Sequence, residues 1–282
     1  MGVSFAPSKF SWFVSRGLHH LPLVKSFLEK REVTQLVELA RSSAEQEQAF
    51  KVLHSGWARK TVMYDVEGVR SRLAHIDKIN GLKLGNILPS RHWSRIYEYP
   101  YAAYQLRNMP KGGRILDCGC GFSSFQFYLA EQGFEVHGVD CDLTTLERVA
   151  ALKKRSGLNN LKPTFGSVLK LPFACRYFDG AVCISVLEHM MVSPENSSLI
   201  LKGSINDILK VLKKGGLLVL TFDVNFGKEQ RSLRPNEYAE LCNALGIETE
   251  PFPEDRLYSS DTKDGSLMGE DLAVYSITLA RC

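Results

Sequence analysis

Apolar residues recur at three- and four-residue intervals, with charges between them, from Leu21 to Ala40, from Ser42 to Leu53 and near Val69 to Ile79, the period of helices that bury one face. Near residue 90 the pattern changes. From there short apolar runs alternate with amphipathic stretches, predicting strands near 114–118, 135–140, 162–166, 178–184, 216–223 and 272–280 and helices near 123–132, 143–156, 198–213 and 235–245. Such alternation builds an α/β fold, a doubly wound and mostly parallel sheet covered on both faces. Lys213-Lys214-Gly215-Gly216 marks a helix end and the turn into a strand. The last strand follows a long loop containing Pro and Gly rather than a full helix, which predicts antiparallel pairing for it. The chain therefore divides into a helical N-terminal cap or lid, residues 1–90, and a second domain, residues 91–282.

Within the second part, Arg114 to Ser124 (Arg-Ile-Leu-Asp-Cys-Gly-Cys-Gly-Phe-Ser-Ser) reads as a buried strand that turns through glycines into a helix. Gly119 and Gly121 allow a tight turn and close approach of a ligand to the backbone, and the helix behind them offers unpaired N–H groups. The flanking residues narrow the ligand. Ser124 stands where a dinucleotide fingerprint has its third glycine, and Asp117, two residues before the first glycine, would repel a pyrophosphate but suits an ammonium group. Asp140, ending the run Glu135 to Asp140, puts a carboxylate where a ribose diol can bond it.

Taken in order, Asp117-x-Gly119-x-Gly121, Val139-Asp140, Leu171-Pro172-Phe173 before Phe178-Asp179, and Ser185-Val186-Leu187-Glu188-His189 resemble the class I S-adenosylmethionine-dependent methyltransferases over residues 95–282. The resemblance implies a Rossmann-like, seven-stranded sheet and S-adenosylmethionine as cofactor. It assigns the methionine part to Asp117 and the backbone of Gly119 and Gly121, and the ribose hydroxyls to Asp140. Cys118, Cys141, Val168 and Ser185 complete the cofactor pocket by the same analogy. The family's acidic adenine contact is replaced by Ser167, so a serine hydroxyl or a backbone group must serve there.

Methyl transfer from a sulfonium needs alignment and exclusion of water more than acid–base machinery. Aromatic faces help to hold the cation, and Tyr97 and Tyr99, in the aromatic segment His92 to Tyr101 just before the turn, are the expected contacts. His189, after the fourth predicted strand, could deprotonate a hydroxyl acceptor, although its recurrence in the family also suits a scaffold role. Asp223 faces the expected substrate mouth. Asp223 and Asn225 have a spacing reminiscent of a Mg²⁺ site, but Ser185-Val186 supplies no matching carboxylate, so no metal is expected.

Composition agrees with a soluble enzyme: 282 residues, 44% apolar and 23% charged, with no run long enough to span a membrane and no signal-peptide pattern, which makes the cytoplasm the expected location. Seven irregularly spaced cysteines point to reduced thiols, not a disulfide framework or a structural metal. The net charge of +4 hides an asymmetry, because residues 1–110 hold 16 Lys and Arg against 9 Asp and Glu, whereas residues 111–282 hold 19 against 22. The basic residues are scattered and no nucleic-acid module is evident, so no nucleic-acid partner is expected. Aromatic and basic residues mixed around Phe5, Phe10, Trp12 and Phe13 keep membrane-surface contact open as an alternative to a lid; oligomeric state is left open. The expected function is methyl transfer to a small molecule, on an oxygen of a sugar or natural-product-like metabolite. The alternatives are a non-catalytic cofactor-binding subunit that supports a partner and, further off, an NAD-dependent oxidoreductase.

Overall fold

A computed structural model describes residues 22–59, 64–83, 88–92, 94–190, 194–225, 232–252, 254–255 and 272–282. The segment around Phe5 and Trp12, with its expected membrane contact, lies outside the described residues. In chain order the described elements are α1 (Pro22–Ala44), β1 (Phe50–Trp57), α2 (Val69–Asn80), α3 (Arg95–Leu106), β2 (Arg114–Cys118), α4 (Ser124–Glu131), β3 (Glu135–Asp140), α5 (Leu143–Ser156), β4 (Leu161–Phe165), β5 (Phe178–Ile184), α6 (Pro194–Val211), β6 (Leu212–Asn225), α7 (Pro235–Ala244) and β7 (Leu272–Arg281), with short 3-10 turns at Pro89–Arg91 and Leu187–Met190.

The seven strands form one sheet in the order β1-β7-β6-β5-β2-β3-β4. Strands β2 to β6 run parallel, whereas β7 is antiparallel to β6 as expected, and β1 is antiparallel to β7. Covered on both faces, the parallel strands read as nearly continuous apolar runs, with Ile115, Leu116, Val136, Val139, Ala181, Val182, Leu218, Val219 and Leu220 all buried. The strand order reverses between β2 and β5. Such a switch opens a crevice at the carboxyl ends of the strands, and it lies next to the glycine turn after β2.

Local chemistry explains how the elements entering that crevice begin. Ser123 caps α4 by accepting the Phe125 N–H at 3.1 Å, and Asp142 caps α5 by accepting the Thr144 N–H at 2.9 Å. Helix α3 contains Pro100, which cannot donate to the carbonyl of Ile96 four residues earlier. The Arg70 guanidinium of α2 donates to that carbonyl instead, at 3.1 Å. The aromatic segment before the turn is thus a helix whose proline defect is repaired by its neighbour.

One predicted helix is overturned. The helical pattern read over Ser42 to Leu53 ends at Ala44, and residues 50–57 form β1, the seventh strand. The cause is long-range. Strand β7 has a second edge that requires backbone partners, and β1 fills it from Phe50 opposite Arg281 to Trp57 opposite Tyr275. Trp57 then packs edge-on to Tyr275 and Phe252 at ring-centroid distances of 4.8 and 5.0 Å. Part of the segment read as wholly helical is therefore built into the sheet. Helix α2 is also docked, through buried Val69, Leu73 and Ile76 and a two-pronged bond from Arg72 to Glu131 of α4 at 2.6 and 2.7 Å. Among the described residues no helix is long and apolar enough to cross a membrane.

Candidate active site

One side of the crevice is built by the turn after β2 and the end of β3. Gly119 and Gly121 adopt φ of 63° and 51°, the left-handed region that favours glycine. A Cβ on Gly119 would come within 2.6 Å of Val186, whereas one on Gly121 would meet nothing nearer than the Gly119 carbonyl at 3.9 Å, so open space adjoins the second glycine. Asp140 accepts the Gly121 N–H at 2.9 Å and the Asp142 N–H at 2.8 Å. These two backbone donors fix its carboxylate beside the turn.

Asp117 differs. It is buried at the end of β2, and its carboxylate accepts no hydrogen bond among the described residues. Burial, reinforced by the nearby Asp140 charge, pushes its pKa up to about 8, against a smaller opposing pull from Arg95. Near neutrality it mostly holds its proton, and a cationic group brought beside it would favour its ionisation. Tyr99 is buried alongside, its ring stacked on Phe125 of α4 at 4.9 Å with the Arg95 guanidinium 5.8 Å from its centroid.

The opposite side carries a cluster of buried charge at the ends of β5 and β6. Glu98 of α3 is fully buried and accepts hydrogen bonds from the Ser185 hydroxyl at 2.5 Å, from the Thr221 hydroxyl at 2.6 Å and from Arg95. Burial disfavours its charge, yet Arg95 and the two hydroxyls outweigh that and hold its pKa below the ordinary glutamate value. Arg95 also donates to the Ser185 hydroxyl at 2.8 Å. Ser185 has φ of 47°, a strained conformation for a residue with a Cβ, sustained by these contacts.

Beyond this latch, Asp223 at the end of β6 and Glu188 in the turn after β5 are both buried, and each has one carboxyl oxygen without a hydrogen-bond partner, Oδ1 and Oε2. The Asp223 N–H donates to Glu188 Oε1 at 3.1 Å. Burial first, then the Glu98 charge, raises the Asp223 pKa to about 7. Glu188 is raised well above the ordinary glutamate value by burial and by Asp223. A carboxyl group near neutrality in a crevice can accept a proton from a substrate hydroxyl.

The sequence candidates separate on this geometry. Asp117, Gly119, Gly121, Asp140 and Tyr99 converge on the turn. Cys141, half-buried beside Asp140, keeps a neutral thiol, its pKa pushed up to about 11 by burial and by that carboxylate. Cys118 and Val168 direct their side chains into the core and leave only backbone for a ligand. Ser167 accepts the Leu169 N–H at 3.3 Å on its hydroxyl and bridges to Lys170 through its backbone.

Three candidates stand apart from the turn or have their polar groups engaged elsewhere. Tyr97 belongs to a packed aromatic group against β7, its hydroxyl 3.3 Å from that of Ser276 and its ring stacked with Tyr101, so it does not face the turn. Ser185 has its hydroxyl engaged by Glu98 and Arg95 rather than left for a cofactor. His189 is exposed, and the 3-10 turn directs its neighbour Glu188 into the buried cluster instead. Arg95 and Glu98 escaped the sequence reading because their aromatic neighbours dominated the segment. Two acid–base residues three positions apart are a helix signal that could have found them. Among the described residues no group of His, Cys, Asp and Glu could hold a metal ion.

Comparison with known proteins bears on the same segment. Residues 116–220 match the model of a family described as a methyltransferase domain. The chain is 28% identical over 136 residues to the tRNA (carboxymethyluridine(34)-5-O)-methyltransferase of Arabidopsis thaliana, covering 48% of this chain and 30% of that protein. It is 26% identical over 153 residues to the ubiquinone biosynthesis O-methyltransferase of Rickettsia canadensis, covering 48% of this chain and 62% of that protein. The chain thus spans less than two thirds of the length of these curated relatives. Among solved structures, a geranyl diphosphate methyltransferase in complex with GPP and sinefungin shares the fold, with a TM-score of 0.53 at 12% identity over 77% of this chain and 96% of the other.

Proposed function

Since the chain belongs to the class I S-adenosylmethionine-dependent methyltransferases, we propose that it transfers a methyl group from S-adenosylmethionine to a hydroxyl oxygen of a small acceptor, such as a sugar or a natural-product-like metabolite. The residues fit the cofactor. Asp117, buried and with no hydrogen bond among the described residues, supplies the charge for its ammonium group, Asp140 retains lone pairs for the ribose diol, and the space beside Gly121 admits a ligand to the backbone. When bound, the cofactor supplies an electrophilic methyl group on a sulfonium. Asp223 then accepts the proton that the acceptor hydroxyl loses, while Tyr99 and the α3 helix cover the site and limit access of water.

The observation that carries this reading is the placement of two buried carboxyl groups on one sheet edge, Asp117 at the end of β2 and Asp223 at the end of β6, with Arg95 acting electrostatically on both. The named relatives support oxygen as acceptor, since both are O-methyltransferases by name. A small acceptor is favoured because Asp223 and Glu188 are almost fully buried.

Calorimetry with S-adenosylhomocysteine and NAD, followed by labelled-methyl transfer over sugars, phenols, carboxylic acids and tRNA, tests the proposal. Binding of S-adenosylhomocysteine together with transfer to a small hydroxyl compound supports it. Tighter binding of NAD, transfer to tRNA alone, or transfer only after addition of a second subunit each overturns it in favour of a different class.

A further inference from the structure

The proposed reaction leaves unused the acid beside Asp223. Glu188 is buried, its Oε1 accepts the Asp223 N–H at 3.1 Å, and its Oε2 has no partner. Asp223 is equally buried and its Oδ1 is also without a partner. Both groups have an oxygen without a hydrogen-bond partner, and among the described residues neither is ion-paired. Arg95 is the cation that acts on Asp223, and it is already bound by Glu98 and the Ser185 hydroxyl. The groups around the pair are thus Glu98 and Arg95 from α3, Ser185 at the end of β5 and Thr221 in β6, four polar residues bonded to one another.

Resting on the function proposed above, we infer that Asp223 and Glu188 form the acceptor subsite for an uncharged hydroxyl compound, with Glu188 as a protonated positioning residue, and that this subsite rejects acceptors carrying a carboxylate or phosphate near the reacting hydroxyl. Two carboxyl groups this deeply buried, one of them bonded to the backbone of the other and raised by its charge, do not both ionise; one keeps its proton. Glu188 is the one that keeps it, because its environment contains the Asp223 and Glu98 charges and no directly paired cation, whereas Arg95 offsets part of the cost for Asp223. The protonated acid holds the Asp223 backbone through Oε1 and presents a donor on the other oxygen. The Asp223 carboxylate is the acceptor for a substrate O–H. With the cofactor bound, the methyl–sulfur bond would break and leave its electron pair on sulfur, an oxygen electron pair of the acceptor would form the new C–O bond, and the O–H bond would break with its proton passing to Asp223. An anionic acceptor brings a second negative charge against Asp223, with Arg95 already occupied. A neutral hydroxyl brings a donor and no charge.

Two measurements test this, one without an acceptor. Carbon-13 carboxyl NMR on the intact chain, assigned with Glu188→Gln and Asp223→Asn, reads the two titrations directly. The expected result is one retained proton on Glu188 through neutrality, little movement of the Asp223 midpoint in Glu188→Gln, which keeps an acceptor oxygen and no charge, and a lower Glu188 midpoint in Asp223→Asn. Ionisation of Glu188 below about pH 5, or a fall in the Asp223 midpoint of more than about one pH unit in Glu188→Gln, overturns the inference. The second measurement is labelled-methyl transfer to phenol against hydroxybenzoate and to inositol against inositol phosphate, with S-adenosylhomocysteine binding verified separately. At least about tenfold higher kcat/KM is expected for each uncharged member. Preference for an anionic member overturns the subsite but leaves methyl transfer standing. Cofactor binding with transfer to none of the four, but to an amine, overturns both the oxygen reading and the hydroxyl subsite.

Discussion

At the end of β3, Asp140 is held by two backbone N–H groups, 2.9 and 2.8 Å away; at the end of β6, Asp223 has a buried oxygen that meets no donor. Both carboxylates sit where a strand of the same sheet runs out, yet their surroundings divide the work. The Gly121 and Asp142 N–H groups orient Asp140 in advance, which under the proposed function lets it receive ribose hydroxyls without rearrangement. Asp223 lacks such donors and titrates near neutrality, which suits a group that must take up and release a proton. Asp117 combines the two cases: it lies beside the glycine turn but, like Asp223, is raised by burial, and it accepts no hydrogen bond among the described residues. What raises Asp117 and Asp223 is burial together with a neighbouring negative charge, Asp140 for the one and Glu98 for the other.

Asp223→Asn breaks the comparison most severely. It removes the proton acceptor while preserving shape, and a kcat loss of about 10²–10⁴ is expected, with a far smaller change in S-adenosylhomocysteine affinity. In the unmodified enzyme kcat/KM should rise with pH through about 7, as Asp223 ionises. Steady-state kinetics and calorimetry check both points, and an unchanged kcat would remove Asp223 from the mechanism.

Asp117→Asn moves function and stability in opposite directions. Loss of the full charge opposite an ammonium group should weaken S-adenosylhomocysteine binding by about a hundredfold, from charge-assisted bonds worth about 1.5–3 kcal/mol. The stability effect has the reverse sign. Because the folded pKa of about 8 lies above the ordinary value of 3.8, the native state binds more protons than the unfolded state between these values, and native stability falls as pH rises across that window. The variant should therefore melt higher than the parent at pH 8 but not below about pH 4. The same linkage makes ligand binding release a proton near pH 7, measurable by calorimetry in buffers of different ionisation enthalpy. A binding heat independent of buffer would show that Asp117 is already ionised.

Asp140→Ala should cost less than Asp117→Asn, roughly tenfold in S-adenosylhomocysteine affinity, because it loses bonds to neutral hydroxyls and one brace of the turn rather than an opposing charge. A larger loss than that of Asp117→Asn would reverse the roles assigned to the two carboxylates. The smallest effect is expected for Tyr97→Phe, which removes the hydroxyl near Ser276. A stability loss of about 1 kcal/mol with unaltered ligand affinity is the expected outcome by thermal denaturation and calorimetry.

The legible part of this molecule is the part whose signals are short. Asp117, Gly119, Gly121 and Ser123 lie within seven residues, and their left-handed glycines and helix cap follow from neighbours in sequence. The same holds for Asp140 and the Asp142 cap, and for the alternation of strands and helices after residue 100. The helix read over Ser42 to Leu53 failed because its apolar spacing was ambiguous, and pairing with β7, more than two hundred residues away, decided the matter. His189 was singled out because an imidazole has the right intrinsic pKa, whereas Glu188 acquires its proton affinity from burial and from the Asp223 charge.

By itself the sequence determined the glycine turn after β2, the parallel core of the sheet and the carboxylates at the ends of β2 and β3, since each depends on periodicity or on residues a few positions apart. The tertiary structure alone decided that β1 completes the sheet, that Arg70 repairs the proline defect of α3, and that Glu98 joins α3 to Ser185 and Thr221, 87 and 123 residues away. It also decided which acids near the acceptor side hold protons. Proton affinity in a buried cluster is set by desolvation and by charges brought together in space, and neither is encoded by the residues next in the chain.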